Sequence, residues 1–198
     1  MKTFALNIAL ATALAFTVPA AAQAQLPGAA DTARVQAGRY VVDTNHTQVV
    51  WTINHMGITP LTGAIAASEG ALELDPAKLS SAKVTVTFKL ADMNTTAPAF
   101  TRHLLSADFF EADKHPTATF TSTSVQAIGT KAKITGGLTI KGVTKPVTLD
   151  AEFYGAGINP MSKKLDVGFS ATGRFARSQF GLGYGLPGVT PDQVDLRI

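Results

Sequence analysis

The 198 residues carry 17 Lys and Arg against 14 Asp and Glu, and no cysteine. Without cysteine there is no disulfide, no thiol nucleophile and no residue to carry a lipid anchor near the N-terminus. The charges are scattered rather than gathered into a basic stripe, which sets nucleic acid aside as a partner.

The chain opens with Lys2, a mostly apolar run from Phe4 to Val18, and Ala20-Ala21-Ala22-Gln23-Ala24. A basic start, a short apolar core and a small-residue ending are the plan of a secretory signal peptide, with cleavage expected between Ala24 and Gln25. Asn7, Thr12 and Thr17 interrupt the run, so export is expected and a retained membrane span is not. Residues 25–37 have no hydrophobic period and are expected to form a flexible leader. Residues 38–198 are undivided by any linker and suffice for one domain with a sizeable core.

Beyond Gly38 the text is strand-like: short alternating runs of Val, Ile, Thr and Phe recur between Gly, Pro, Asn and Asp. Expected strands are Tyr40 to Asp43, Gln48 to Met56, Gly63 to Leu74, Lys83 to Asp92, Thr117 to Gln126, Lys131 to Ile140, Val147 to Tyr154, Lys164 to Arg177 and Gln193 to Ile198. Short turns such as Ile128-Gly129-Thr130 make sequence neighbours antiparallel neighbours. Val84, Val86, Phe88 and Leu90 alternate with Lys83, Thr85, Thr87 and Lys89, giving one dry and one wet face. Val167, Phe169, Ala171 and Phe175 repeat the pattern, as do Leu149, Ala151 and Phe153. With one tryptophan and three tyrosines the chain lacks the aromatic girdles of a membrane barrel, so the apolar faces are assigned inward. The expected strands number eight or nine, and the fold class is all-β: a meandering antiparallel barrel, taken as eight-stranded.

One segment breaks the pattern. Between Met93 and Pro116, Phe100, Leu104 and Leu105 fit one face of a helix, and Pro98 suits its first turn. Ser106 is placed to cap a second helical turn presenting Phe109 and Phe110. Such an insertion is expected to cover a barrel end, at an entrance.

The hairpin Leu138-Thr139-Ile140-Lys141-Gly142-Val143-Thr144-Lys145-Pro146-Val147 is the most distinctive stretch, with a tight turn at Gly142 and Pro146 expected where the next strand is only beginning. With it come Asp43-x-x-His46, Trp51-x-x-x-His55-Met56-Gly57, Thr95, His103-Leu104, Asp108-Phe109-Phe110, His115-Pro116-x-x-x-Phe120-x-Ser122, Gly168-Phe169 and Arg177-Ser178-x-Phe180-Gly181. Their order and spacing resemble the YceI-like family of secreted, lipocalin-like proteins from Tyr40 to the last residues. The resemblance implies a barrel whose pore holds a polyisoprenoid or similar long-chain amphiphile, an isoprenoid quinone being one such ligand. The resemblance brings no enzyme activity assigned to the family as a whole and implies a periplasmic location; no cofactor is expected, and a homodimer and roles in carriage, storage or stress response are compatible with it. Arg102 and the Gly-rich segment Leu182 to Pro187 depart from the family pattern near one barrel end.

The four histidines, His46, His55, His103 and His115, form no His-x-His or His-x-x-x-His pair, so no metal site is assigned. By strand parity His55 shares a face with Val49, Trp51 and Ile53. It is read either as a hydrogen-bonded core histidine or as a head-group contact. Arg177 shares parity with Phe169 and Phe175, and a buried guanidinium requires a partner. That partner is either an internal carboxylate such as Asp43 or Asp92, or an anionic ligand group, for which the guanidinium fork is suited. The head-group candidates are therefore His55, His103 and Arg177. Trp51, Phe88, Phe100, Phe109, Phe110, Phe169, Phe175 and Phe180 are candidates to line a tail site, with plain core packing as the alternative for at least half. Ala64, Ala66, Ala151 and Ala171, read as small inward residues, favour a cavity over a barrel filled by its own side chains. The alternative function is a non-carrier stress or interaction protein with a filled barrel. A third, weaker reading is a lipid hydrolase or isomerase using Asp108, His103 and Ser106, although no Gly-x-Ser-x-Gly elbow is present.

Overall fold

A computed structural model describes residues 26–198. The expected signal peptide and its cleavage point at Ala24 and Gln25 lie outside the described residues. Twelve strands make up one sheet: β1 (Gly28–Ala29), β2 (Gly38–Val41), β3 (Gln48–His55), β4 (Thr59–Ala66), β5 (Glu69–Leu74), β6 (Lys83–Lys89), β7 (Asn94–Thr95), β8 (Thr117–Ile128), β9 (Lys131–Ile140), β10 (Val143–Ile158), β11 (Leu165–Ala176) and β12 (Gln193–Arg197). Every pairing is antiparallel, and the order is β2-β5-β6-β8-β9-β10-β11-β12-β3-β4-β7, with β1 on the side of β10. The architecture is a curled antiparallel sheet with, among the described residues, one short α-helix, α1 (Pro98–Leu105).

The strand count exceeds eight because one long run breaks where the sheet bends and because the two-residue strands β1 and β7 fall outside the expected runs. Gly63 to Leu74 was expected as one strand; it is two, β4 paired with β3 and β5 paired with β2 and β6. At the break, Ala67 N–H donates to the Thr47 carbonyl, while Ser68 N–H and Oγ both turn to Thr87 O at 2.8 and 3.0 Å. Two adjacent residues thus bond to opposite neighbours, which carries the chain round a sharp corner. The expected flexible leader is also partly regular: Gly28 and Ala29 pair with Gly157 and Ala156, and Arg34 donates to the Pro27 carbonyl at 3.1 Å. The approach is so close that a Cβ on Gly157 would strike the Pro27 carbonyl.

The β9–β10 hairpin turns through Lys141 at φ 50° and Gly142 at φ 72°. Two left-handed residues in a two-residue loop match the twist of the flanking strands. Pro146, expected at a strand start, instead sits inside β10 opposite Gly137. It is tolerated because pairing with β11 begins only at Leu149, so β10 is still an edge on the side that Pro146 faces.

α1 forms with Pro98 at its first turn and Leu104 buried, as the pattern of Phe100, Leu104 and Leu105 predicts. The second helical turn does not form. Ser106 ends α1 with Oγ donating to His103 O at 2.7 Å, and Phe109 and Phe110 follow on turns. The densest packing lies at this end: Leu90 and Phe180 are each 1% exposed, beside Met93, Leu104 and Leu182.

Candidate functional site

Side chains on one face of nearly every strand border a cavity of about 1940 Å³. On β3 these are Val49, Trp51 and Ile53; on β6, Val84, Val86 and Phe88; on β11, Val167, Phe169, Ala171 and Phe175. The two-residue period supplies this wall, and bulges correct it where the sheet curls. On β8 the register slips between Ser122 and Ser124, so Ala118 and Phe120 face inward below the slip and Val125 and Ala127 above it.

The ends of the cavity differ. At the α1 end, Leu104, Phe180, Leu182 and Leu90 form a plug. At the other end the lining runs out through exposed loops at Gly129, Thr130, Pro160 and Lys164, and Phe169, a lining residue, is 44% exposed. The lining thus reaches solvent most widely at the end opposite the helix, while at the α1 end its exposed residues are Ala97, Tyr184 and Val189. A side gap adjoins the wider opening. β12 is short and the last bonds it extends run between Ile198 and Ala171, so β11 from Leu165 to Ser170 has no strand on its second side among the described residues. Among the described residues β2 likewise pairs only with β5. Near this gap His46 Nδ1 lies 2.7 Å from Asp43 Oδ2. That hydrogen bond raises the His46 pKa, with a smaller contribution from Asp166 on β11, and lowers that of Asp43.

Of the predicted tail residues, Trp51, Phe88, Phe100, Phe109, Phe110, Phe169 and Phe175 border the cavity. Phe180 does not; it is packed edge-on against Phe175 at 5.4 Å inside the plug. Ala151 and Ala171 face in, but Ala64 and Ala66 do not. On β4 the inward residues are Leu61 and Ile65. Between them Gly63 is the small residue that matters, because the Trp51 indole lies across it where a Cβ would stand. Trp51 Nε1 is buried there without a hydrogen-bond partner among the described residues, and Phe100 meets the ring edge-on at 6.5 Å.

The three head-group candidates gather at the α1 end around the loop from Leu182 to Pro191. His103 stacks edge-on against Phe109 at 5.1 Å and Tyr184 at 4.9 Å, and its Nε2 lies 2.8 Å from Asp108 Oδ2. His55, on the last residue of β3, borders the cavity, and the next amide, Met56 N–H, donates to Val189 O at 2.8 Å. Arg177 is only 4% exposed, yet neither Asp43 nor Asp92 is its partner. Nε donates to Pro191 O at 3.1 Å, Nη1 to Leu182 O at 2.6 Å and Tyr184 O at 2.9 Å, and Nη2 to Thr190 Oγ1 at 2.6 Å and Thr190 O at 3.3 Å. All five N–H donors are engaged, so none is left for a ligand head group. Burial pushes the guanidinium pKa down, opposed by the charge of Asp192. Asp192 in turn accepts from Ser178 Oγ and Ser178 N–H, both at 2.7 Å, which holds its carboxyl below the usual range.

The Asp108, His103, Ser106 arrangement does not make a nucleophile. Ser106 Oγ donates to the His103 backbone carbonyl and accepts from Asp108 N–H at 3.3 Å, so the hydroxyl serves the turn and not the imidazole. Tyr184 is the residue that sequence reasoning missed at this end. Strand parity would have found Val194, Leu196 and Ile198, which also line the cavity; no periodic signal marks a loop tyrosine.

These features define an all-β protein built around an apolar internal cavity with one plugged and one open end. The chain belongs to the YceI-like domain family, whose model matches residues 40–198. Protein YceI of Escherichia coli O157:H7 is 38% identical over 164 residues, covering 82% of this chain and 85% of the relative. Among solved structures, BcnA of Burkholderia cenocepacia has a TM-score of 0.65 at 25% identity, covering 79% of this chain and 96% of its own. A polyisoprenoid-binding domain from Saccharophagus degradans shares the fold, with a TM-score of 0.54 at 11% identity over 82% of this chain and 95% of its own.

Proposed function

We propose that this protein holds a polyisoprenoid or similar long-chain amphiphile in its cavity. The observation that carries the reading is the cavity itself: about 1940 Å³, apolar, reached by almost every strand, in a chain of the YceI-like family. Ordinary small-molecule pockets run to roughly 300–1,000 Å³, so this one suits an extended chain better than a compact ligand. Its size also speaks against a barrel filled by its own side chains. On this reading the sheet acts as eight staves, β2 with β3 and β4 with β5 each counting as one bent stave and the two-residue β1 and β7 left out, and β4 running into β5 joins the two ends of the curl.

Each methylene-sized group of the tail removed from water contributes about 0.8 kcal/mol. Against a bilayer the same tail passes between two apolar media and the gain nearly cancels, so exchange with a membrane is reversible. A binding protein for carriage or storage follows, in preference to an enzyme. Phe88, Phe109, Phe110, Phe169 and Phe175 would contact the tail, along with Trp51 and Phe100, and His55 and His103 would meet polar groups at the α1 end. Arg177 would act on the ligand only through the loop it holds. The pattern of residues 1–24 supports export to the periplasm; no helix of the described residues is long and apolar enough to cross a membrane. A homodimer is compatible with this function and not required by it.

Uptake of a fluorescent polyprenyl probe, delivered from ethanol, tests the reading. Saturable fluorescence gain that is competed by unlabelled polyprenol is expected, and absence of uptake by lipid-stripped protein would refute it.

A further inference from the structure

At the open end of the cavity two hairpin tips project, β8–β9 at residues 128–131 and β10–β11 at residues 158–164. Three of their apolar side chains are exposed: Ile128 is 85% exposed, Ile158 56% and Met161 91%. The charged residues among them are Lys131, Lys163 and Lys164, all exposed. Glu152 stands opposite Lys131, and Asp166 below the second tip accepts from Asn159 Nδ2 at 2.7 Å. Lys163 and Lys164 have no carboxylate partner among the described residues, and residues 153–165 contain no acid.

Apolar side chains at the outermost points of a protein are costly in water, and here they alternate with cations around the mouth of a lipid-sized cavity. We propose that these two tips dock the protein on an anionic lipid bilayer, with Ile128 and Met161 entering the boundary between head groups and acyl chains and Lys131, Lys163 and Lys164 meeting the lipid phosphates. Weak insertion and weak charge attraction each give marginal binding alone, and together they give reversible docking. The placement favours a bilayer over a protein partner, because the cavity lining continues through Gly129, Thr130 and Pro160 into the same rim. A tail leaving the membrane would pass between the tips without crossing water. The inference deepens the lipid-binding reading and rests on it for its purpose, though docking can be measured separately.

The test is co-sedimentation of the purified protein with vesicles of phosphatidylcholine alone and of phosphatidylcholine mixed with phosphatidylglycerol, beside probe uptake from ethanol without vesicles. The protein is expected to bind the mixed vesicles, more weakly at high salt. The double variant Ile128→Asp with Met161→Asp should bind them at least about tenfold more weakly, and Lys163→Glu a few-fold more weakly. None of the three residues borders the cavity, so every variant should take up probe as the parent does; that uptake also reports correct folding. Equal vesicle binding by parent and variants would overturn the proposal. So would a parent that takes up probe yet ignores anionic vesicles, which leaves the cavity reading standing. A parent that docks but takes up no probe would support docking and remove the lipid cargo. A dimer in sedimentation equilibrium that Met161→Asp dissociates, with no vesicle binding, would assign the tips to self-association and overturn the proposal.

Discussion

Arg177→Met removes a buried cation that closes the loop from Leu182 to Pro191 against the α1 end. The perturbation strips five hydrogen bonds, leaving the carbonyls of Leu182, Tyr184, Thr190 and Pro191 and the Thr190 hydroxyl to find other partners. A buried acceptor left unmade costs about 1–3 kcal/mol, but the five act as a unit and a loop can rehydrate in part. The side chain's own desolvation is relieved at the same time. Taken together, about 3–5 kcal/mol of stability should be lost, at the upper end of what breaking a buried hydrogen-bond network costs. In a domain of this size that lowers Tm by roughly 10 °C. Arg177→Lys should recover little of it, because three donors on a point charge cannot reach acceptors spread along a ten-residue loop. Thermal unfolding by circular dichroism measures the loss, and hydrogen exchange at Met56, whose amide is bonded to Val189 O, reports release of the loop. A Tm within about 2 °C of the parent for Arg177→Met, with probe binding abolished, would refute the structural role and restore a head-group contact.

Gly63→Ala places a methyl where the Trp51 indole lies, so the ring must rotate; a cost of about 1–3 kcal/mol and a shifted tryptophan emission maximum are expected, and an unchanged spectrum would contradict the packing. Ala171→Phe enlarges a side chain that faces the cavity, so it should reduce uptake of long polyprenyl probes well before short ones while Tm stays within a few degrees. His46 should titrate by NMR above the ordinary value of about 6.5, and Asp43→Asn should bring it back. Asp43 is shifted down and His46 up, so their pairing stabilises the fold between the two ordinary values. That contribution fades as pH rises through the His46 pKa and as it falls through the Asp43 pKa. A His46 midpoint at or below the ordinary value would remove the pair.

Strand faces were legible because a two-residue period survives wherever a strand has one dry side: Val84, Val86 and Phe88, and again Val167, Phe169 and Ala171, all border the cavity as the alternation requires. Parity failed where its phase was wrongly chosen. Reading Gly63 to Leu74 as one strand turned Ala64 and Ala66 inward and hid Gly63, whose importance depends on a tryptophan on the neighbouring strand. The helix was readable from Phe100, Leu104 and Leu105, but the direction of the cavity mouth was not, since it depends on how loops and strand ends far apart in sequence pack together. Arg177 shows a further limit. Its burial could be inferred from parity, whereas its partners are backbone carbonyls of a loop, and carbonyls leave no mark in a sequence.

The most direct measurement is organic extraction of the protein purified from its native compartment, followed by mass spectrometry of the extract. A long-chain lipid with an isoprenoid or similarly apolar tail, recovered in amounts approaching one per protein, is the predicted result. Repeated recovery of empty protein that also takes up no polyprenyl probe would contradict lipid binding in the cavity.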